Sequence, residues 1–152
     1  MQFKFSISAL ILLSLISITA FTNTAFAEND DKIVVMHTSS GLLIIEFFPD
    51  DAPNTVTNFL DLTQKGFYDN IIFHRIIKDF MIQGGDPLSK YDPDGDGYTN
   101  MEQWGTGDAG YEIEAEFNTI KHNRGIVSMA RSADINSASS QFFIVHQNSN
   151  WL

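Results

Sequence analysis

The chain has no cysteine. It therefore forms no disulfide, carries no thiol nucleophile and cannot be tethered to a membrane through a lipid-modified cysteine. Basic residues are also scarce: 9 Lys and Arg stand against 19 Asp and Glu, a net charge of −10. So acidic a surface repels phosphate backbones, which argues against nucleic acid as a partner, while it suits hard cations. No N-x-S/T glycosylation acceptor occurs. The 152 residues specify one domain, large enough to bury a core without covalent staples.

Long apolar runs are missing except at the N-terminus. There Lys4 precedes an apolar stretch from Phe5 to about Ile18, and Ala25-Phe26-Ala27 places small residues where an export peptidase cuts. This pattern reads as a signal peptide over 1–27, with the mature chain beginning at Glu28. An uncleaved membrane anchor is the other reading. Ser6, Ser8, Ser14, Ser17 and Thr19 interrupt the run, whereas a spanning helix wants about 20 consecutive apolar residues. The expected product is an exported domain over 28–152 (periplasmic, extracellular or at the cell surface) with no membrane attachment after cleavage.

Within that domain, "KIVVMHTSSGLLIIEFF" reads as strands over Lys32–Thr38 and Leu42–Phe48 around a Ser-Ser-Gly turn, one face buried and the other partly so. "PDDAPNTVTNFLDLTQKG" reads as a helix: Pro53 suits its first turn, Val56, Phe59, Leu60 and Thr63 share a face, and Gly66 stops it. Short strands are expected at Ile71–Ile76 and Phe80–Gln83, separated by Lys78-Asp79, and again within "RGIVSMA" and "SQFFIVH". Many short strands with one helix predict a mainly β, antiparallel barrel or sandwich.

"FHRIIKDFMIQGGDP", from Phe73 to Pro87, sets one arginine among aromatic and aliphatic residues with no serine, threonine or cysteine nearby. Rotation about an Xaa–Pro bond is a reaction that needs no nucleophile, only relief of a barrier of about 18–20 kcal/mol set by amide resonance. An apolar pocket that grips the proline ring, with a donor aimed at the twisted amide, lowers that barrier by binding the twisted form more tightly. Arg75 would be the donor, Phe80 and Met81 the apolar wall, and Gln83 a neutral hydrogen-bonding group. On these residues alone a second reading stands beside the first: Arg75 at an ordinary strand edge, with Phe80 and Met81 in the core.

Together with "MARSADINSASSQFFIVHQNSNWL", this stretch resembles the cyclophilin-type peptidyl-prolyl isomerases, and most closely their bacterial-like branch. The likeness runs from Lys32 to Leu152 with one interruption. It implies an antiparallel β-barrel with a capping helix, prolyl isomerisation without a cofactor, and proline-containing peptides and unfolded exported proteins as partners. By position it implies Arg75 as the catalytic residue, with Phe80, Met81 and Gln83 in the pocket beside it. Ala130 and Gln141 would line the substrate groove, Phe143 would be the floor of the proline pocket, and Trp151 and Leu152 its far wall. Similar proteins continue beyond the Trp-Leu pair with further strands, so the barrel is expected to be incomplete at its C-terminus and prone to edge-to-edge association.

The interruption is an insertion over 88–104, "LSKYDPDGDGYTNMEQW". Asp92, Asp94, Asp96 and Gly97 have the D-x-D-x-D-G spacing that opens an EF-hand-type calcium loop. By that template Tyr98 offers its carbonyl and Asn100 the ninth-position ligand. The twelfth position is Gln103, with Glu102 one residue early. A structural Ca2+ held by Asp92, Asp94, Asp96, Tyr98, Asn100 and Glu102 is one expectation; a solvated acidic turn is the other. Of the histidines, His37 reads as structural and His74 as packing beside Arg75, while His122 and His146 carry no assigned chemistry. Three functions compete: a prolyl isomerase assisting the folding of exported proteins, a calcium-dependent but non-catalytic binder of proline segments, and an inactive fragment.

Overall fold

The computed structural model describes residues 32–92, 97–98 and 101–152. The expected signal peptide and the calcium-ligand candidates Asp94, Asp96 and Asn100 lie outside the described residues. Strands β1 (Ile33–Thr38) and β2 (Gly41–Glu46) form an antiparallel hairpin with Val35 opposite Ile44. The pleat turns Val34, Met36, Leu43 and Ile45 inward, away from Ile33, Val35, Leu42 and Ile44. Partial burial was expected for that second face. It is exposed instead, with Ile44 at 66 %, because the hairpin pairs with no other strand among the described residues.

Helix α1 (Pro53–Gln64) starts on a proline and buries Val56, Phe59, Leu60 and Leu62. Its end follows from Gly66, whose φ of +65° is a conformation glycine adopts without strain. Phe67 N donates to Leu62 O at 3.0 Å and Gly66 N to Thr63 O at 3.0 Å, the paired closure of a Schellman motif. The start has no local side-chain cap. Glu116, far along the chain, supplies one: its two carboxylate oxygens accept from Asn54 N at 2.9 Å and Thr55 N at 2.7 Å.

The remaining strands are β3 (Arg75–Ile77), β4 (Met81–Gly84), β5 (Val127–Met129) and β6 (Phe142–Val145), in one antiparallel sheet of order β3-β4-β6-β5. The expected strand at Ile71–Ile76 contracts to its C-terminal part. Ile71 makes only an isolated bridge to Lys90, and Phe73 packs into the core rather than continuing a ladder. The turn at Lys78-Asp79 forms, with Asp79 left-handed at φ 59°. Gly85 marks a close crossing: a β-carbon there would strike Ser140 O, and Ser140 Oγ donates to Gly85 O at 2.8 Å.

The core gathers on Phe142, 2 % exposed. Phe59, Tyr68 and Phe73 all meet its ring near-perpendicularly, at 5.4, 5.7 and 6.2 Å between centroids, the arrangement that sets a positive ring edge against a negative face. Ile45, from the hairpin, joins the same cluster. The two sheets and the helix thus share one core. The fold is the mainly β, barrel-like architecture expected, with the described sheets not closed on one another.

The cap at Glu116 makes a pH prediction. Burial pushes its carboxyl pKa up, but the hydrogen bonds from Thr55 and Asn54 outweigh burial and hold it below its ordinary value of 4.5. A lowered folded pKa gives stability that is present above the unfolded value and is lost as pH falls through the folded one. Glu116→Gln should cost about 1 kcal/mol at pH 7, a typical capping contribution. Urea melts at several pH values should show parent and variant converging as pH falls below the ordinary carboxylate range.

Candidate functional site

The site is one lateral row of the four-stranded sheet. Register places Arg75 opposite Gln83, Gln83 opposite Phe143, and Phe143 opposite Ser128. Residues paired across neighbouring strands share a face, so the pairing that builds the sheet also brings a guanidinium, an amide and an aromatic ring into line. They line a groove of about 1250 Å³, whose wall also includes Phe80, Ala130, Trp151 and Leu152.

Arg75 is exposed, and its Nη1 donates to Gln83 Oε1 at 3.1 Å. Gln83 Nε2 in turn donates to Gln141 Oε1 at 2.9 Å. The bonded face of the guanidinium is thereby fixed while its other donors remain available. Phe80 stacks at a tilt on Trp151, ring centroids 5.1 Å apart, so near wall and far wall are joined through this aromatic pair. Trp151 and Leu152 remain well exposed.

Two expectations are adjusted. Met81 lines the groove but is only 2 % exposed; it shares the face of Gln83, two residues on, yet its side chain is covered and presents little surface. Gln141 is held between Gln83 and the Gly107 carbonyl, which accepts from its Nε2 at 2.7 Å, and it is absent from the groove wall. It meets the row through Gln83 rather than through the groove surface.

Two histidines flank the row. His74, next to Arg75, has both ring nitrogens buried and without a hydrogen-bond partner among the described residues. Burial lowers its pKa, Asp86 opposes that, and Arg75 lowers it further. The ring is therefore neutral at pH 7 and adds no second charge beside Arg75. His122, to which the sequence lent no chemistry, stacks on Phe143 at 5.8 Å and 14°, and its Nε2 lies 3.2 Å from Ser128 Oγ. Its backbone carbonyl accepts from Ser149 N at 2.8 Å, in the turn that carries Trp151. Nothing in local spacing announces this contact, because 21 positions separate His122 from Phe143.

In the insertion, Asp92 N donates to Gly97 O at 3.1 Å, which brings together the ends of the 93–96 stretch. Tyr91, Tyr98 and Trp104 pack ring against ring. Glu102 lies exposed in a short 3-10 turn at Met101–Gln103. Among the described residues no three His, Asp or Glu side chains converge as a metal site; Asp94, Asp96 and Asn100 lie outside them.

The groove sets a guanidinium held by neutral amides beside an aromatic ring, an arrangement suited to gripping a peptide and donating to one of its amides. Comparison with known proteins gives the class its name. Residues 33–152 match the family described as cyclophilin type peptidyl-prolyl cis-trans isomerase/CLD. A peptidyl-prolyl cis-trans isomerase of Synechococcus elongatus is 43% identical over 113 residues, covering 74% of this chain and 68% of that protein. Peptidyl-prolyl cis-trans isomerase B of Escherichia coli is 43% identical over 113 residues, covering 74% of this chain and 61% of its own length. A crystal structure of a Cryptosporidium parvum cyclophilin type peptidyl-prolyl cis-trans isomerase, determined in the presence of the dipeptide Ala-Pro, superposes with a TM-score of 0.67 at 35% identity, covering 80% of this chain and 72% of the other. The chain belongs to the cyclophilin-type peptidyl-prolyl cis-trans isomerases.

The geometry at Phe143 yields a prediction. Its ring faces the groove between Gln83 and His122, so Phe143→Ala should remove the apolar floor and leave Arg75 in place. A proline tetrapeptide should then bind about tenfold more weakly, the effect of losing on the order of 1.4 kcal/mol of apolar contact, as read by titration of peptide resonances. Because Phe142, not Phe143, anchors the core, the melting temperature should fall only modestly.

Proposed function

We propose that this chain accelerates cis–trans interconversion of Xaa–Pro bonds in exported proteins, with Arg75 donating to the rotating amide and Phe143 seating the proline ring. The observation that carries the reading is the register-built row of Arg75, Gln83 and Phe143 along one groove. A planar amide spreads its nitrogen lone pair into the carbonyl; on twisting, that pair returns to nitrogen and becomes an acceptor. A donor fixed beside it favours the twisted form over either planar one, and only such a difference accelerates the reaction. A peptide seated in the trough would displace water from around the donor and so strengthen the bond. Proline-containing segments are the substrates, in keeping with the Ala-Pro present with the similar parasite protein. Export rests on the N-terminal pattern of Lys4, apolar run and Ala25-Phe26-Ala27.

The test is exchange spectroscopy or a protease-coupled assay on a proline tetrapeptide. Arg75→Ala should lower kcat/KM about 100-fold, in the range found on removing one transition-state donor. An unchanged rate in that variant would refute the role given to Arg75, and a parent that binds the peptide without accelerating exchange would favour the non-catalytic binder.

We also propose that the insertion binds calcium as a structural clip. Its support is the D-x-D-x-D-G spacing from Asp92 to Gly97 and the backbone bond between those two residues. Neutralising three clustered carboxylates favours the conformation that presents them together. Calcium should raise the melting temperature and magnesium should do so poorly, since it demands tighter octahedral geometry. Titration calorimetry on the parent and on Asp94→Ala/Asp96→Ala checks this; no calcium heat in the parent would remove the site.

A further inference from the structure

Arg75 is joined to the backbone of a distant loop by a hydrogen-bond chain whose direction is forced from both ends. Arg75 Nη1 donates to Gln83 Oε1 at 3.1 Å, Gln83 Nε2 to Gln141 Oε1 at 2.9 Å, and Gln141 Nε2 to Gly107 O at 2.7 Å. A guanidinium has only donors and a carbonyl oxygen only accepts. With those two groups at the ends, each intervening amide has a single orientation that satisfies every link, and reversing either one sets like against like. The Gly107 carbonyl thus decides that Arg75 meets an oxygen, and its position sets where the chain delivers that oxygen.

What holds Gly107 in place is Asp86. This side chain is wholly buried, at 0 % exposure. One carboxylate oxygen accepts from Leu88 N at 2.8 Å and the other from Gly105 N. The two donors bracket the inserted segment, so one carboxylate closes both of its ends. Gly107 lies flat against the same group: a β-carbon at that position would run into the Asp86 carboxylate, Leu88 and Pro87. In so buried a setting a lost acceptor is not replaced by water.

We propose that Asp86 is a positioning residue for Arg75, acting through Gly105–Gly107, Gln141 and Gln83. This rests on the isomerase reading above, and it goes further by assigning the orientation of the guanidinium to a residue outside the groove. The insertion enters and leaves the fold at the group that steers the catalytic arginine, so an excursion of this length is accommodated without loosening the site.

Asp86→Asn keeps the volume but turns one acceptor into an NH2 group facing a backbone N–H, which frees either Leu88 or Gly105. In the full chain, kcat for a proline tetrapeptide should fall about fivefold, well within what a slightly misplaced group costs, with KM changed less than twofold. The Arg75 guanidinium 15N resonance should shift and broaden. Ser89→Ala is the control: it removes the bond from Ser89 Oγ to Asp86 O, 2.7 Å long, in the same buried turn, and leaves the carboxylate untouched. It should lower the melting temperature while kcat and the Arg75 resonance stay at the parental values. If Asp86→Asn does not fold, Gly107→Ala keeps the carboxylate and displaces the carbonyl, and should show the same loss in kcat. A folded Asp86→Asn or Gly107→Ala protein with parental kcat and resonance would overturn the proposal, as would an equal kcat loss in Ser89→Ala. A parent without isomerase activity would sink the isomerase reading alone, because the Arg75 resonance still reads the connection: a shift in Asp86→Asn supports it and no shift overturns it.

Discussion

Two consecutive phenylalanines on one short strand must point to opposite faces, and most of this structure depends on that constraint. Phe142 turns inward, where three aromatic rings meet it edge to face. Phe143 turns outward onto the groove, where His122 stacks against it. The strand that carries them is central, pairing with β4 on one side and β5 on the other. A slip of one residue in either pairing would exchange core and site. The packing of Phe142 therefore also fixes the groove floor, and through register fixes Gln83 and Arg75 beside it.

Around that row the guanidinium of Arg75 is oriented without a carboxylate partner among the described residues. The chain is strongly acidic, yet Glu116 is spent on the start of α1 and Asp86 on two backbone N–H groups. His74, beside Arg75, is kept neutral chiefly by burial. Arg75 is thus directed by neutral amides rather than by a carboxylate. A carboxylate partner would draw the guanidinium into an ion pair and weaken what it can offer a ligand; an amide oxygen orients it and leaves its charge largely uncompensated.

Much of this was legible in the sequence, and the reasons are particular. Helix α1 was readable because Pro53, the spacing of Val56, Phe59 and Leu60, and Gly66 are local signals of start, face and stop. Strand centres were readable from runs such as "QFFIVH", though their ends were not: Ile71 to His74 has strand composition, but Phe73 is claimed by the core. Arg75, Gln83 and Phe143 could be proposed from motif likeness; that they form one row is a consequence of register, which no single segment encodes. The bracing roles of Gln141, Asp86 and His122 were hidden for the same reason. Their partners Gln83, Gly105 and Phe143 lie 58, 19 and 21 positions away. Asp86 did carry one local sign, an acid directly before a proline, which is how short helical turns begin; here the sign belongs to the turn at Pro87–Ser89.

The role proposed for Arg75 is to act on the twisted amide rather than on the bound planar forms. Line-shape analysis of a labelled proline peptide on the full chain separates the two, since it yields the dissociation constants of the cis and trans forms and the rate of their interconversion while bound. For Arg75→Lys, which keeps the charge but loses the fork that Gln83 orients, both dissociation constants should stay within about threefold while the bound interconversion rate drops by an order of magnitude or more. Weakened binding of both forms with an unaltered bound rate would contradict it, and would make Arg75 a contact that holds the peptide without turning it.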